Sequence, residues 1–389
     1  MKASKDPFGY EYYLYILVYV DDILVIDHDP LNVLNRINKF LPLKEGSVGD
    51  PNIYLGAKLT KVTMANDVEA WSMSSSKYVQ EAVKNCKQHL AEVYPKQYKL
   101  LRDAPNPFMM GYEPDQDVSK VLAPQEASYF QSLIGVMRWM IELGRVDIAT
   151  EVSLLSSYLA MPREGHIEAA LHIMSYLKKK HNARVVFDPT YPDIDMDFFQ
   201  SHDWEEFYGD VEEAVPADKP EPRGKPVDLQ MYVYSDHTGE KTTRRSRTGF
   251  LILVNGALID WLSKKQPTAE SSVFGAEFVA MKNGVETLRG IRYKLRMMGV
   301  ELNGPNFIMG DNMSVVTNAS KPASVLKKKS NSICYHAVRK SVAMGESLAG
   351  HVRTENNLAD FLTKVLYGAK RRRLVGGVLF DIYDDFDRQ

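Results

Sequence analysis

Apolar residues recur with a period close to 3.6 from residue 125 to residue 180, and after residue 230 they change to short runs broken by turn residues. A helical stripe and a strand alternation place side chains differently, so this chain must build a helical unit and, further on, a sheet-bearing one. The first holds helical runs at 126–143, 147–159 and 165–179, separated by Gly144 and by Met161-Pro162. The second opens with strands at 231–234, 250–254 and 257–262, then a long helical run over about 270–298. A strand at 306–309, a helix after Asp311, a helix around 333–344, a strand near 347–354 and a last helix from Asn357 complete it. Three strands followed by alternating helix and strand predict a mixed-sheet α/β domain.

Ahead of these units, residues 10–26 form two apolar stretches on either side of Asp21-Asp22, which predicts a strand hairpin with the acidic pair at its turn. Helical spacing at 31–40, a hairpin over 53–73 around Ala65-Asn66-Asp67, and a helix at 74–93 follow. Residues 95–124 hold five prolines and read as a long connector. Residues 189–228 carry twelve acidic and three basic side chains, a balance of −9 within a chain whose net charge is −2, so the rest carries +7. That composition is one of a solvated linker or surface insertion. The expected division is therefore 1–94, 95–188, an acidic linker at 189–229, an α/β domain at 230–366 and a tail at 367–389.

A length of 389 residues suits two or three domains, and 44% hydrophobic with 25% charged residues is ordinary for a folded protein. Cys86 and Cys334 are too few and too distant for a disulfide framework or a zinc cluster, which points to a reducing, intracellular setting. The longest apolar run, 14–26, is shorter than the roughly 20 residues that span a bilayer and contains Asp21 and Asp22. Neither a membrane association nor a targeting segment is expected.

Four acids in the last domain stand where an apolar or small residue would be ordinary. Asp236 ends the first strand after Val233-Tyr234-Ser235, and Glu277 lies within an apolar helix between Ala276 and Phe278. Asp311 ends the strand Phe307-Ile308-Met309 and precedes Asn312, while Asp360 sits among Leu358, Ala359, Phe361 and Leu362. Singly, such residues serve as helix caps, turn residues or surface acids. Together they converge on one edge of a mixed sheet. Two carboxylates about 4 Å apart repel by roughly 4 kcal/mol at an effective dielectric near 20, so the cluster needs raised pKa values or bound cations. Oxygen-only ligands select Mg²⁺ or Mn²⁺, and two such ions suit phosphodiester hydrolysis.

These acids, with the strings YSDHTGE, RRSRTGF, IDWLSKKQ, GAEFVAM, GDNMSV and LADFLTK, resemble the ribonuclease H domain of copia-type LTR retrotransposon polyproteins. The resemblance implies that Asp236, Glu277, Asp311 and Asp360 hold two ions and that the RNA strand of an RNA–DNA hybrid is cut. It also implies a histidine near the last acid, and His351 lies in that neighbourhood. Tyr19-Val20-Asp21-Asp22 between apolar strands is similar to the palm motif of reverse transcriptases, which makes Asp21 and Asp22 further metal candidates. Tyr54-Leu55-Gly56 resembles the primer-grip segment and residues 128–148 the connection region. The family's palm needs an earlier aspartate and a fingers region, and only eighteen residues precede Tyr19. DNA synthesis by this chain alone is therefore not expected. Ser330 stands where relatives often carry histidine.

Basic side chains at Arg244, Arg245, Arg247, Lys264, Lys265 and Lys328 are candidates for phosphate contacts to a hybrid. Other products of the same polyprotein are possible partners in this reading. Two rivals stand beside it: an inactive element remnant that at most binds nucleic acid, and a nuclease of the integrase or resolvase kind. The acidic segment is either inert or a competitor of nucleic acid for the basic face.

Overall fold

Three separate sheets carry the strands. The computed structural model describes residues 1–326 and 329–383. The first sheet is an antiparallel meander of β1 (Lys2–Lys5), β2 (Glu11–Tyr19) and β3 (Asp22–Ile26). Its apolar residues are unevenly covered, with Val18 and Ile26 exposed. The helix α1 (Pro30–Asn38) follows, started by the Asp29 side chain accepting from the Asn32 N–H and by Pro30 at the first position.

The second sheet runs in the order β4 (Ile53–Tyr54), β5 (Ala57–Thr63), β6 (Glu69–Ser74) and β7 (Arg184–Phe187). Helices α2 (Ser76–Val93), α3 (Pro124–Glu142), α4 (Ala149–Leu155) and α5 (Glu164–Lys179) share one core. Val79 and Leu90 from α2 meet Phe130 and Met137 from α3 and Ile173 from α5 there. The first helix of this unit thus lies within residues 1–94, while β7 returns from residue 184 to pair with β6.

The third sheet has five strands in the order β10-β9-β8-β11-β12, from β8 (Leu229–Asp236), β9 (Arg247–Val254), β10 (Ala257–Lys265), β11 (Asn306–Gly310) and β12 (Ser347–His351). β8, β9 and β10 are antiparallel, and β11 is parallel to both β8 and β12. All five residues of β11 are buried, as a strand with parallel neighbours and both faces covered should be. Helices α7 (Val273–Met297), α8 (Met313–Ser320) and α9 (Ser332–Ala343) cover one face, with Phe278, Val285 and Val338 packed on Met231 and Ile308. The mixed α/β fold expected from the strand and helix alternation is present.

The acidic segment keeps most of its residues exposed but is tied down at a few points. Its aromatic residues anchor it: Phe199 is buried against Phe307, with ring centroids 5.1 Å apart, and Trp204 lies under the Arg339 guanidinium. The short helix α6 (Glu205–Tyr208) follows, and Glu213 then pairs with Arg292 at 2.7 Å and with Arg296. Charge balance alone conceals these anchors, because composition averages them with twelve acids. The last helix, α10 (Gly368–Gly376), is likewise no loose tail: Leu374, Val375 and Leu379 join Val146 and Ala149 of the helical unit and Leu251 and Phe361 of the sheet domain in one core.

Candidate active site

β8 and β11 run parallel side by side, with Met309 in register with Tyr232, so their carboxyl ends open on one edge of the sheet. This is also where the strand order turns, β9 and β10 lying to one side and β11 and β12 to the other. In open α/β sheets a ligand crevice forms at such a switch point. Asp236 is the last residue of β8, and Asp311 directly follows β11.

Polar neighbours stand beside the acids or the backbone that carries them. The Arg247 backbone N–H donates to Oδ1 of Asp236, a consequence of β9 pairing Arg247 opposite Asp236. The Asn312 side chain, whose Oδ1 caps α8, lies beside Glu277 and holds its proton affinity down. The Thr354 side chain does the same beside Asp311. Asp360 lies on a 3-10 turn, Leu358–Leu362, capped by the Asn357 side chain, which also donates to the Val233 carbonyl at 3.0 Å. That turn reaches β8 because Gly249 on β9 has no side chain. A Cβ there would lie 2.7 Å from Thr363 Cγ2 and 2.9 Å from Leu362 Cβ.

Proximity shows in the electrostatics. Burial pushes Glu277 up to about 8, with the Asp311 charge adding to the rise. Burial also raises Asp236 to about 6, opposed by the Arg247 N–H and charge. Asp311 is raised by burial and by Asp360, with the Thr354 hydrogen bond opposing them. The Asp360 carboxylate is fully buried and faces two ammonium groups: Lys364 Nζ is 2.7 Å from Oδ1, and Lys370 pairs with Oδ2. Neither oxygen accepts a well-directed hydrogen bond.

Oxygen-only donors, one of them a fully buried carboxylate, fit a hard divalent cation by their chemistry. Among the described residues, however, no three acidic, histidine or cysteine side chains stand as a ready metal-holding group. The four acids share one edge, but Lys364 and Lys370 hold Asp360.

Asp21 and Asp22 belong to a different sheet. Tyr19 pairs with Asp22, so the two-residue turn is Val20-Asp21 and Asp22 already begins β3. Both acids are exposed. Val20 has φ +54°, a conformation costly for a β-branched residue.

The basic candidates divide by burial. Arg247 is 5% exposed and donates to Ser153 of α4 at 2.6 Å, which leaves its guanidinium no outer surface. Lys265 pairs with Glu240 at 3.0 Å. Arg244 and Lys264 are exposed and Arg245 is half-buried. Register carries the ends of β9 and β10 to the Asp236 edge, since Lys265 lies opposite Arg247 and Arg247 opposite Asp236. Lys328 lies outside the described residues. His351 ends β12, and its Nε2 lies 3.2 Å from the Asp311 carbonyl oxygen. Lys364 and Lys370, absent from the phosphate-contact candidates, are the cations paired with Asp360.

No family model matches the chain. It is 24% identical over 91% of its length to the retrovirus-related Pol polyprotein from transposon RE1 of Arabidopsis thaliana. Transposon Pol polyproteins are its homologues. A second, from transposon TNT 1-94 of Nicotiana tabacum, is 22% identical over 94% of the chain. The chain spans only 21% and 25% of the length of these two Pol polyproteins. Among solved structures, LC11-RNase H1 in complex with an RNA/DNA hybrid is 16% identical, covers 35% of this chain and 94% of its own, and has a TM-score of 0.29.

Proposed function

We propose that the chain is the ribonuclease H-bearing part of a retrotransposon reverse transcriptase and that it cleaves the RNA strand of RNA–DNA hybrids. What supports this reading is the placement of Asp236 and Asp311 at the neighbouring carboxyl ends of β8 and β11, with Glu277 and Asp360 each close to Asp311, in a chain homologous to transposon Pol polyproteins. The four carboxylates are the residues that would hold two Mg²⁺ or Mn²⁺ ions. Such ions supply Lewis-acid stabilisation of the scissile phosphate and an activated water. The chain's own part is positional. Arg247, Asn312, Thr354 and Asn357 orient the carboxylates or their backbone, and exposed Arg244 and Lys264 lie on elements that end at the same edge, where phosphate contacts would align a hybrid.

The test is cleavage of labelled hybrid by the full chain in Mg²⁺ or Mn²⁺. Asp236→Asn should lower the rate about 100-fold or more, since metal-ligand charge contributes several kcal/mol to such transition states. Undiminished cleavage by that variant rejects the site. The hold of two lysines on Asp360 favours one rival, a folded but inactive remnant. Calorimetric titration with Mg²⁺ separates the two, because a remnant takes up no ion at this edge.

A further inference from the structure

The helix α10 and the turn before it bring two ammonium groups to the carboxylate edge from outside the acidic set. Lys364 lies one helical turn beyond Asp360, with its Nζ 2.7 Å from Oδ1, 3.3 Å from the Tyr234 hydroxyl and 4.6 Å from the centre of the Tyr234 ring. Lys370 reaches the other oxygen of the same carboxylate from the first turn of α10. Each lysine side chain is 38% exposed, while the Asp360 carboxylate has no exposed surface. The ammonium groups therefore stand between a buried anion and solvent.

Lys364 is shared between the Asp360 carboxylate and the ring and hydroxyl of Tyr234, while Lys370 meets the same carboxylate from α10. An ammonium carries one charge on a stem that can swing to water, so its hold is reversible. Neither Asp360 oxygen receives a well-directed hydrogen bond from it, which leaves this pair weaker than a forked arginine contact.

We propose that Lys364 and Lys370 are tethered counter-cations of the carboxylate edge: they hold Asp360 in the metal-free chain and must withdraw from it before a divalent ion can bind there. They are positioning residues that set the metal concentration at which the site fills. This inference rests on the nuclease reading and deepens it, by naming the groups that compete with the ions.

The experiment is Mn²⁺ binding to the full chain, read as loss of the free-ion electron paramagnetic resonance signal, for the wild type, Lys364→Met, Lys370→Met and Lys370→Arg. Removing either charge should tighten Mn²⁺ binding about tenfold, a figure already discounted for the half-exposed position of the lysines. Lys370→Arg keeps the charge and should bind no tighter than the wild type, which separates charge from packing. Thermal unfolding in EDTA provides a second readout: the Met variants should unfold at lower temperature there and gain more than the wild type when Mn²⁺ is added. Equal or weaker Mn²⁺ binding by both Met variants, in a chain whose wild type cleaves hybrid, overturns the inference and leaves the nuclease reading standing. Absence of Mn²⁺ binding by every form overturns both.

Discussion

Two buried acidic clusters lie on either side of α10, and the fold neutralises them differently. In the helical unit, Asp147 and Glu151 meet Arg145 and Arg371, two acids for two guanidinium groups, all at most 1% exposed. Arg145 forks onto both Asp147 oxygens at 2.8 and 2.7 Å, and the Tyr176 hydroxyl adds a third bond at 2.9 Å. Burial pushes the Asp147 carboxyl up, but Arg145, Arg371 and Tyr176 outweigh it and hold it below the ordinary carboxylate range. In the same cluster Glu151 is raised, since burial outweighs Arg371. At the sheet edge both lysines pair with Asp360, Arg247 faces Asp236, and Glu277, Asp236 and Asp311 are all raised. Adjacent residues of α10, Lys370 and Arg371, serve the two clusters. The arginine cluster is closed and numerically matched, whereas the sheet edge holds more acids than cations, and its lysines sit on movable stems.

The sharpest break of this comparison is Arg371→Met. Arg371 donates to Glu151 at 3.2 Å and to the Asp147 carbonyl, and its loss leaves a fully buried acid unpaired. Removing one member of such a network costs about 3 to 5 kcal/mol, measurable as a fall in the urea midpoint. Lys370→Met, one residue away, should cost about 1 kcal/mol or less, because that ammonium is half-exposed and Lys364 remains on the same carboxylate. Equal losses for the two substitutions would erase the distinction between the clusters.

A second test uses pH in EDTA. The Glu277 carboxyl ordinarily titrates at 4.5 and is raised in the folded chain to about 8. Between those values the folded state holds a proton that the unfolded chain has released, so this contribution to stability is complete below 4.5 and is lost as pH rises through 8. Asp236, raised from 3.8 to about 6, acts with the same sign over a lower window. The wild type should therefore have a lower urea midpoint at pH 8 than at pH 5. Glu277→Gln removes the largest part of that slope and should be about 2 kcal/mol more stable than the wild type at pH 8. A wild type equally stable at both values, with no gain in the Gln variant, would contradict the raised carboxyls.

Much of this was legible in the sequence, for local reasons. Strands such as 250–254 and helices such as 165–179 announce themselves by period, and the four acids stood out because each interrupts an apolar context. What escaped depends on meetings between distant segments. Arg247 reads as one more surface arginine beside Arg244 and Arg245, and it is buried only because Ser153, from another unit, lies across from it. Lys364 reads as the solvated end of a helix until the turn carrying Asp360 is seated over Gly249. β7 is four residues long, too short for an alternation to register. The packed C-terminal segment did leave a signal: Leu374, Val375, Val378, Leu379 and Ile382 are apolar at close spacing, masked by the basic run before it, although the helix itself ends at Gly376.

The hairpin at Asp21 and Asp22 gives the comparison its third arm and its smallest expected effect. These two acids are exposed, so water rather than protein solvates them and no buried cation is needed to hold them. Replacing both with Asn should leave the urea midpoint within about 0.5 kcal/mol of the wild type. Hybrid cleavage should be unaltered as well, because the hairpin belongs to a sheet separate from β8 and β11. A large loss of cleavage in the double variant would tie the two acidic sites into one machine. It would then be the strained turn at Val20, rather than the burial of the acids, that marks function in this part of the chain.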